Sequence, residues 1–182
     1  VRVQAFKAPT ETELAHDYLW RIHQVVPRNG ELVIFNRSHY EDVLVTRVKG
    51  WIDQAETERR IGHINDFERL LSETGTTIIK FFLHISKDEQ RKRLQERIDN
   101  ADKNWKFNPG DLEDRKLWDA FQAQYESVIA ATSSVAAPWY IIPADSKSSR
   151  NQLILEILIN RLSALGMQYP QVDTRDWPKT VE

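Results

Sequence analysis

Four short apolar runs alternate along the chain with segments whose apolar residues recur every three to four positions. Runs of the first kind, bounded by polar or turn-forming residues, are typical of strands, and the intervening spacing is typical of amphipathic helices. Strand–helix alternation predicts an α/β domain with three layers, a parallel sheet between two layers of helices. The four predicted strands are VRVQAF (1–6), ELVIF (31–35), TTIIKFFLHI (76–85) and WYIIPA (139–144).

The helical segments carry recognisable start and stop signals. Thr10 with Glu13, and Ser86 with Glu89, have the spacing of capping boxes, while Gly75 follows a periodic segment that it would end. All 182 residues fit one domain, with the last segment, 167–182, as an extended surface strap. The first predicted helix runs from Thr10 to about Val25. The others cover 57–73, 87–98, about 111–131 and 149–165.

Composition narrows the function classes. The net charge is −2, which does not favour a nucleic-acid partner, and no apolar run is long enough to span a bilayer. Without a signal-peptide pattern, a cytoplasmic location is expected. The chain has no cysteine, and its five histidines are scattered, so a zinc or thiolate site is not expected. An oxygen-liganded hard ion stays compatible with the composition.

The segment Asn36 to Glu41 follows the second predicted strand and is the first candidate site. In sheets with helices on both faces, ligands bind beyond the carboxyl ends of the strands, which is where this segment would lie. The alternative is an ordinary strand-to-helix turn. In that interpretation Asn36 and Ser38 satisfy backbone groups and Arg37 pairs with a nearby acid.

A second candidate is the basic segment 90–107. Arg93 and Arg97 are four residues apart and share a helical face, and a loop with Lys103 and Lys106 follows. Several converging cationic donors suit a phosphate chain. The alternative is a solvated helix whose arginines pair with its own acids.

Two further groups of residues follow strand ends. Lys7 comes after the first predicted strand and precedes a capped helix start, a combination that suits an anion, although a lysine there is also compatible with simple solvation. Asp145, Lys147 and Arg150 follow the last strand and could form a helix-capping cluster or part of a nucleotide pocket, of which capping is the preferred interpretation.

The sequence resembles the second family of polyphosphate kinases, P-loop-type kinases that move phosphoryl groups between inorganic polyphosphate and nucleotides. The resemblance runs over nearly the whole chain. Its segments, in family order, are FKAPTETELAHDYLWRI, IFNRSHYEDVLVTRV, RRIGHINDFERLL, KFFLHISKDEQRKRL, NWKFNPGDLEDRKLWDAF and APWYIIPAD.

The resemblance implies parts for the first candidate site. Asn36 stands at the place of a Walker B aspartate and would contact Mg²⁺ weakly or through water, and Arg37 would contact phosphate during transfer. Tyr40 and Glu41 would lie near the acceptor nucleotide, because the sequence is similar to members with N-R-S-x-Y-E. The implied substrates are polyphosphate with AMP or ADP, or with GMP or GDP.

The resemblance also implies a lid over residues 87–115. Arg93 and Arg97 would act in catalysis with Arg37, and Lys103 and Lys106 would lie over the phosphates. Lys7 is expected to bind phosphate because of its place after the first strand. A homo-oligomer, dimeric or tetrameric, is expected on the same ground.

One departure from the family pattern stands out. The Walker A loop, G-x-x-x-x-G-K, does not occur in these residues, and the chain starts at Val1 inside a strand pattern, so we expect an N-terminally incomplete chain. Two rival functions stay open on the sequence. One is a catalytically silent paralogue that binds nucleotide or polyphosphate, and the other is a nucleoside monophosphate kinase that uses ATP.

Overall fold

All four predicted strands are present in the computed structural model, which describes residues 1–169, 171–173, 175, 177 and 180. Each strand is four or five residues long, and each lies inside the apolar run that predicted it except β2, which extends one residue beyond its run to Asn36. The strands are β1 (Arg2–Ala5), β2 (Val33–Asn36), β3 (Lys80–His84) and β4 (Trp139–Pro143).

Helices fill most of the intervening chain. They are α1 (Glu11–Leu14), α2 (Trp20–His23), α3 (Glu41–Val48), α4 (Gln54–Glu73), α5 (Lys87–Asp99), a 3₁₀ helix (Ala101–Lys106), α6 (Gly110–Lys116), α7 (Trp118–Thr132) and α8 (Lys147–Ser163). In the described residues, no helix is both long enough and apolar enough to cross a membrane.

The strands are parallel, as predicted, and are hydrogen-bonded in two pairs. β1 pairs with β2, with Ala5 opposite Asn36, and β3 pairs with β4, with His84 opposite Pro143. Within the described part of the chain, β2 and β3 do not share a ladder. In each pair the two carboxyl ends lie at the same edge, which is the edge where the candidate residues were expected.

Helix α4 connects the two clusters of buried apolar side chains. Ile64 packs with residues of α3 and α7, and Phe67, one turn later, packs with Phe6, which follows β1, and with Ile22 of α2. Burial of such side chains stabilises by about 1.5–3 kcal/mol each. The segment after β2 therefore lies against well-packed apolar side chains. The first cluster contains Tyr40, Val43, Leu44, Ile64 and Val128, and the second contains Phe6, Ile22 and Phe67.

The first predicted helix is divided in two by Asp17. Its Oδ1 accepts hydrogen bonds from the backbone amides of Leu19 and Trp20, both at 3.0 Å, and so starts a new turn there. The predicted helix 111–131 is likewise divided, with a break at Leu117. Helix α3 was not predicted as a separate element.

The predicted capping signals have different outcomes. The Thr10–Glu13 box is complete, with Glu13 N donating to Thr10 Oγ1 at 3.2 Å and Thr10 N donating to Glu13 Oε2 at 2.7 Å. At Ser86 only half the box forms, because Glu89 accepts from Arg93 Nε at 2.7 Å instead of turning back. Gly75 does follow α4, with a φ of 99° that favours glycine.

Two predictions about the chain as a whole are untested. The surface strap predicted for 167–182 falls partly on residues outside the described set. The assignment of all 182 residues to one domain stays a prediction.

Candidate active site

The candidate segment Asn36–Glu41, called the segment after β2, starts at the last residue of that strand, and its first two residues are exposed. Asn36 is tied to the neighbouring strand through its backbone oxygen, which accepts from Phe6 N at 3.0 Å. Arg37 has a φ of 61°, and it is the non-glycine residue with a positive φ in the described part of the chain. A left-handed conformation costs an ordinary residue roughly 1–2 kcal/mol. Such strain persists where the surrounding structure holds it, commonly at functional sites.

Ser38 organises the turn that follows. Its carbonyl accepts from Glu41 N at 3.2 Å, and its hydroxyl accepts from Tyr40 N at 3.4 Å. This is the backbone role that the turn interpretation assigned to Ser38. The turn leads directly into α3, so a structured turn and an exposed arginine occur together at this strand end.

Glu41 and Arg37 influence each other electrostatically. Burial raises the pKa of the Glu41 carboxyl, and the positive charge of Arg37 opposes that rise. The pKa of Tyr125 is raised by burial and by Glu41, with Arg37 opposing. Tyr125 also packs on Phe82 of β3, with ring centroids 4.6 Å apart. The segment after β2 therefore lies beside α7, and α7 connects it to the second pair of strands.

His39 and Tyr40 point into the protein. Tyr40 is 3% exposed, and its hydroxyl donates to Glu68 Oε1 at 2.8 Å while it accepts from Lys80 Nζ at 2.8 Å. The structure thus buries the ring that sequence analysis placed beside the nucleotide, so Tyr40 supports the segment from below. Glu68 and Lys80 were not among the residues predicted from the sequence. The lysine within the apolar run TTIIKFFLHI could have indicated a buried charge with a partner.

Lys7 lies at the same edge as Arg37. It follows β1, its side chain is exposed, and its backbone oxygen accepts from Arg21 Nη1 at 3.1 Å. Arg21 is 8% exposed, and its Nη2 lies 3.6 Å from Asp42 Oδ2 on α3. A buried arginine therefore links the end of β1 to the start of α3.

Arg93 holds α5 against the second pair of strands. Its guanidinium donates to the backbone oxygens of Ala144 and Asp145, at 2.7 and 3.0 Å, just beyond the end of β4. Asp145 Oδ1 in turn accepts from Ser86 N at 2.8 Å. Asp145 thus holds Ser86, the N-cap residue of α5, whereas the helix that follows Asp145 in the chain, α8, is capped by Ser146, whose hydroxyl accepts from Ser149 N at 3.3 Å.

The other candidate cations of the predicted lid, residues 87–115, have partners within that segment. Arg97 donates to Asp111 Oδ2 at 3.0 Å, Lys103 pairs with Glu96, and Lys106 Nζ lies 4.8 Å from the centre of the Trp105 ring. Among the described contacts, Arg93 and Arg97 bind lid and β4 groups and do not bind the Asn36–Glu41 segment. This conformation has the internal charge pairing that was the alternative interpretation of the basic helix.

The lid also contacts the first candidate site indirectly. Lys49, at the end of α3, pairs with Asp114 of α6 at 2.6 Å. Because α3 begins at Glu41, this pair connects the predicted lid to the helix that follows the segment Asn36–Glu41.

Comparison with known proteins decides the family. The pattern of the Polyphosphate kinase 2 family matches residues 1–170. The chain belongs to the Polyphosphate kinase 2 family. This confirms the resemblance seen in the sequence, and it gives the parallel strands and flanking helices the P-loop-kinase-like fold that the sequence predicted.

Relatives in this family carry phosphotransferase names. An AMP/ADP-polyphosphate phosphotransferase of Meiothermus ruber is 63% identical over 174 residues, covering 96% of this chain and 65% of that protein. An ADP-polyphosphate phosphotransferase of Rhodopseudomonas palustris is 42% identical, covering 93% of this chain and 63% of that protein. The crystal structure of Polyphosphate Kinase 2 from Arthrobacter aurescens superposes with a TM-score of 0.91 at 47% identity, covering 94% and 60%. The chain therefore spans just under two thirds of these relatives' length.

The side chains at this edge do not form a carboxylate cage for a metal ion. In the part of the chain that the structure describes, no three histidine, cysteine, aspartate or glutamate side chains are grouped as ligands. The exposed Asn36 offers one neutral amide oxygen. Mg²⁺ commonly keeps several waters and takes its other ligands from substrate phosphates, so these residues fit an ion that arrives with a phosphorylated substrate.

Proposed function

We propose that the protein transfers phosphoryl groups between inorganic polyphosphate and a nucleoside mono- or diphosphate, with AMP and ADP as the first acceptors to test and GMP and GDP next. The names of the Meiothermus ruber and Rhodopseudomonas palustris relatives support this reaction. So does the collection of cationic side chains at the carboxyl ends of the strands.

The observation that carries the proposal is the conformation of Arg37. It is exposed, it keeps a left-handed backbone, and it lies within electrostatic range of Glu41 at the end of a parallel strand. A guanidinium presents a fork of donors that matches phosphate oxygens. A carboxylate beside it can accept from an exocyclic amino group of the nucleotide base. Together the two residues can bind the phosphate end and the base end of an acceptor.

The reaction needs positioning more than acid–base catalysis. A terminal phosphate oxygen of the nucleotide forms a bond to the terminal phosphorus of the polymer. The bond from that phosphorus to the bridging oxygen breaks, and the polymer leaves one unit shorter. Charge spreads over the equatorial oxygens of the transferred group, and cationic donors stabilise it. The nucleotide phosphate is already an anionic nucleophile, so this chain does not require a general base.

The lid can supply further cations. We propose that Arg93 and Arg97 contact the transferred group and that Lys103 and Lys106, with Lys7, hold the polymer. The pairs that now engage the lid cations are partly exposed, and exposed ion pairs contribute only about 0–1 kcal/mol. Polyphosphate can therefore replace these partners at small cost.

We propose Mg²⁺ as the accompanying ion, with Asn36 as its protein contact, directly or through water. When bound, the ion would neutralise charge on the phosphate oxygens. Arg37 would still be required, because it contacts the phosphate from the protein side and sets its orientation.

The test is to incubate the full-length protein with magnesium, long-chain polyphosphate and either AMP or ADP, and to follow nucleotide products by chromatography. ADP or ATP should form only when polyphosphate is present. Product with ATP as donor and none with polyphosphate would identify a nucleoside monophosphate kinase instead. Nucleotide binding without product would identify a silent binding protein. The expected homo-oligomer can be checked on the same preparation by analytical ultracentrifugation.

A further inference from the structure

A cluster of buried polar side chains lies beneath the segment after β2. Its four members are 3–7% exposed, although glutamate and lysine are rarely buried unless paired. They come from three separate parts of the chain: the segment after β2, helix α4 and strand β3. The members are His39, Tyr40, Glu68 and Lys80.

Lys80 has all its donors engaged. Its Nζ donates to Glu68 Oε2 at 2.5 Å, to Tyr40 Oη at 2.8 Å and to the backbone oxygen of Thr132 at 2.8 Å. An ammonium group has three donors, so it has none left for another partner. Lys80 thereby connects β3 to α4, to α7 and to the segment after β2.

Glu68 is the acceptor at the centre of the cluster. Its Oε1 accepts from Tyr40 Oη at 2.8 Å and lies 3.4 Å from His39 Nε2. Burial alone would raise the pKa of Glu68, but the hydrogen bond to His39 and the charge of Lys80 outweigh it, and the pKa lies below its usual value. Glu68 is thus an ionised carboxylate held under two consecutive residues of the segment.

Stability alone gives little reason for this arrangement. Burying an ion pair costs hydration free energy that the attraction between the two charges only just offsets. Apolar residues of similar size can often replace such pairs without loss of stability. The location of the cluster is more informative. His39 and Tyr40 lie between Arg37, whose backbone is strained, and Glu41, which begins α3.

We propose that Glu68, held by Lys80, is a positioning residue that fixes the segment Asn36–Glu41 and so sets the geometry of Arg37 and Glu41 toward the acceptor nucleotide. This rests on the proposed function, because Arg37 and Glu41 are the residues that would touch substrate. Glu68 and Lys80 act only through them. A strained turn keeps its conformation when its neighbours over-determine it, and two hydrogen bonds to one fixed carboxylate do that.

The first test is the double variant Glu68→Gln/Lys80→Met in the full-length protein. It removes both charges together and nearly keeps the side-chain volumes, so it avoids leaving one charge buried without its partner, which is the more destabilising change. We expect kcat to fall and the KM for the acceptor nucleotide to rise, each by about tenfold, since misplacement by about 1 Å can cost up to a hundredfold. The KM for polyphosphate should not change, because the lid lysines hold the polymer. Wild-type kcat and acceptor KM in this variant would overturn the proposal.

Tyr40→Phe is the second variant. It can still refute the proposal if the double variant does not fold. It removes one hydroxyl and leaves the ring packing in place. The same two parameters should change in the same direction, by about threefold, because the variant loses the hydrogen bonds to Glu68 Oε1 and from Lys80 Nζ while the buried charge pair stays in place. Ile22→Val is the matched control, because Ile22 is buried in the other apolar cluster and its truncation lowers stability without removing a hydrogen bond of the segment. If Ile22→Val changed kcat and acceptor KM as much as Tyr40→Phe, positioning would be refuted.

Hydrogen exchange separates this proposal from the proposed function. In the double variant, peptides that cover residues 36–41 should exchange faster than in wild type, while peptides from the middle of α7 keep their protection. That difference is measurable even if wild type has no phosphotransferase activity. Unchanged exchange in residues 36–41 would refute positioning, whatever the activity of the enzyme.

Discussion

At the scale of single residues, the side chains that contact solvent and those that support them come from the same short segment. Arg37 is exposed and Glu41 is half-buried, whereas His39 and Tyr40, which lie between them, are buried. The contacts of the two buried side chains with Glu68 anchor the segment from inside the protein.

Two substitutions of Arg37 separate the effect of backbone strain on stability from the effect of the guanidinium on turnover. Arg37→Gly and Arg37→Ala both remove the guanidinium, so both should lower kcat by about a hundredfold or more, as for the loss of a key donor to a charged transition state. Glycine relieves the left-handed strain at φ 61° and alanine does not. In urea unfolding we expect Arg37→Gly to be the more stable of the two by about 1–2 kcal/mol. Equal stability would contradict the strain, and unchanged kcat would contradict the phosphate contact.

Glu41 should show a trade between stability and activity that depends on pH. Burial raises its pKa above the ordinary value of 4.5, so the folded state favours the protonated form. The stability that the protonated Glu41 carboxyl contributes is fully present below its ordinary pKa, and it is lost as the pH rises through the pKa of the folded state. At pH 7, Glu41→Gln should therefore be more stable than wild type in thermal unfolding, and the difference should vanish in acid. Turnover with an adenine acceptor should fall. A variant less stable than wild type at neutral pH would disprove the burial effect.

At the scale of elements, the lid is held by a few replaceable contacts. Arg93 binds the carbonyls after β4, and Arg97 binds Asp111 inside the lid. Lys49 pairs with Asp114, which connects the lid to α3. Because the Arg97–Asp111 pair is about one-third exposed on each side, it adds little to stability. Its arginine is therefore available for a second partner when substrate binds.

A pair of lid variants distinguishes these roles. Arg97→Ala and Asp111→Asn each break the same ion pair, so each should change the free energy of unfolding by only about 0–1 kcal/mol. Only Arg97→Ala removes the guanidinium, and we expect it to lower kcat by at least about tenfold while Asp111→Asn keeps near-normal turnover. Steady-state kinetics with saturating polyphosphate would measure this. An equal loss in both variants would mean that the ion pair itself, rather than a phosphate contact, supports turnover.

At the scale of the whole molecule, the positive charge is local. The net charge of −2 would repel a polyanion, so binding must depend on the cationic side chains at the strand ends and in the lid. Lys7 follows β1, Arg37 follows β2, and Arg93 binds the carbonyls just beyond β4. Helix α7 contacts β3 through Tyr125 and Phe82, whose ring centroids lie 4.6 Å apart.

Salt should therefore weaken polymer binding without unfolding the protein. Raising the ionic strength from about 0.1 M to about 1 M shortens the screening length from about 10 Å to about 3 Å. The KM for polyphosphate should rise steeply over that range, and the melting temperature should change little, because the apolar clusters are unaffected by screening. In Lys103→Gln/Lys106→Gln the salt dependence should be shallower. A KM that is independent of salt in wild type would contradict a binding site made of exposed cations.

Sequence alone determined the elements and the family. Apolar runs of strand length and amphipathic spacing were sufficient for four strands and most helices, because local backbone preference and the need to bury one face act within ten or twenty residues. Quoted motifs were sufficient for the family, which the comparison confirmed. Local patterns predicted the wrong helix bounds or cap where a side chain had more than one possible hydrogen-bond partner. Asp17 divided a helix by binding backbone amides, and Glu89 bound Arg93 instead of completing its box.

Only the tertiary structure decided how the candidate residues are held. Glu68 and Lys80 lie 28 and 40 positions from Tyr40 in sequence, so their hydrogen bonds to it exist only after α4 and β3 pack against the segment after β2. The same packing turned Tyr40 from an expected nucleotide contact into a buried support. Periodicity indicates which face of an element is buried, but the partner of a buried polar group is set by distance in space, and that distance is a property of the folded chain.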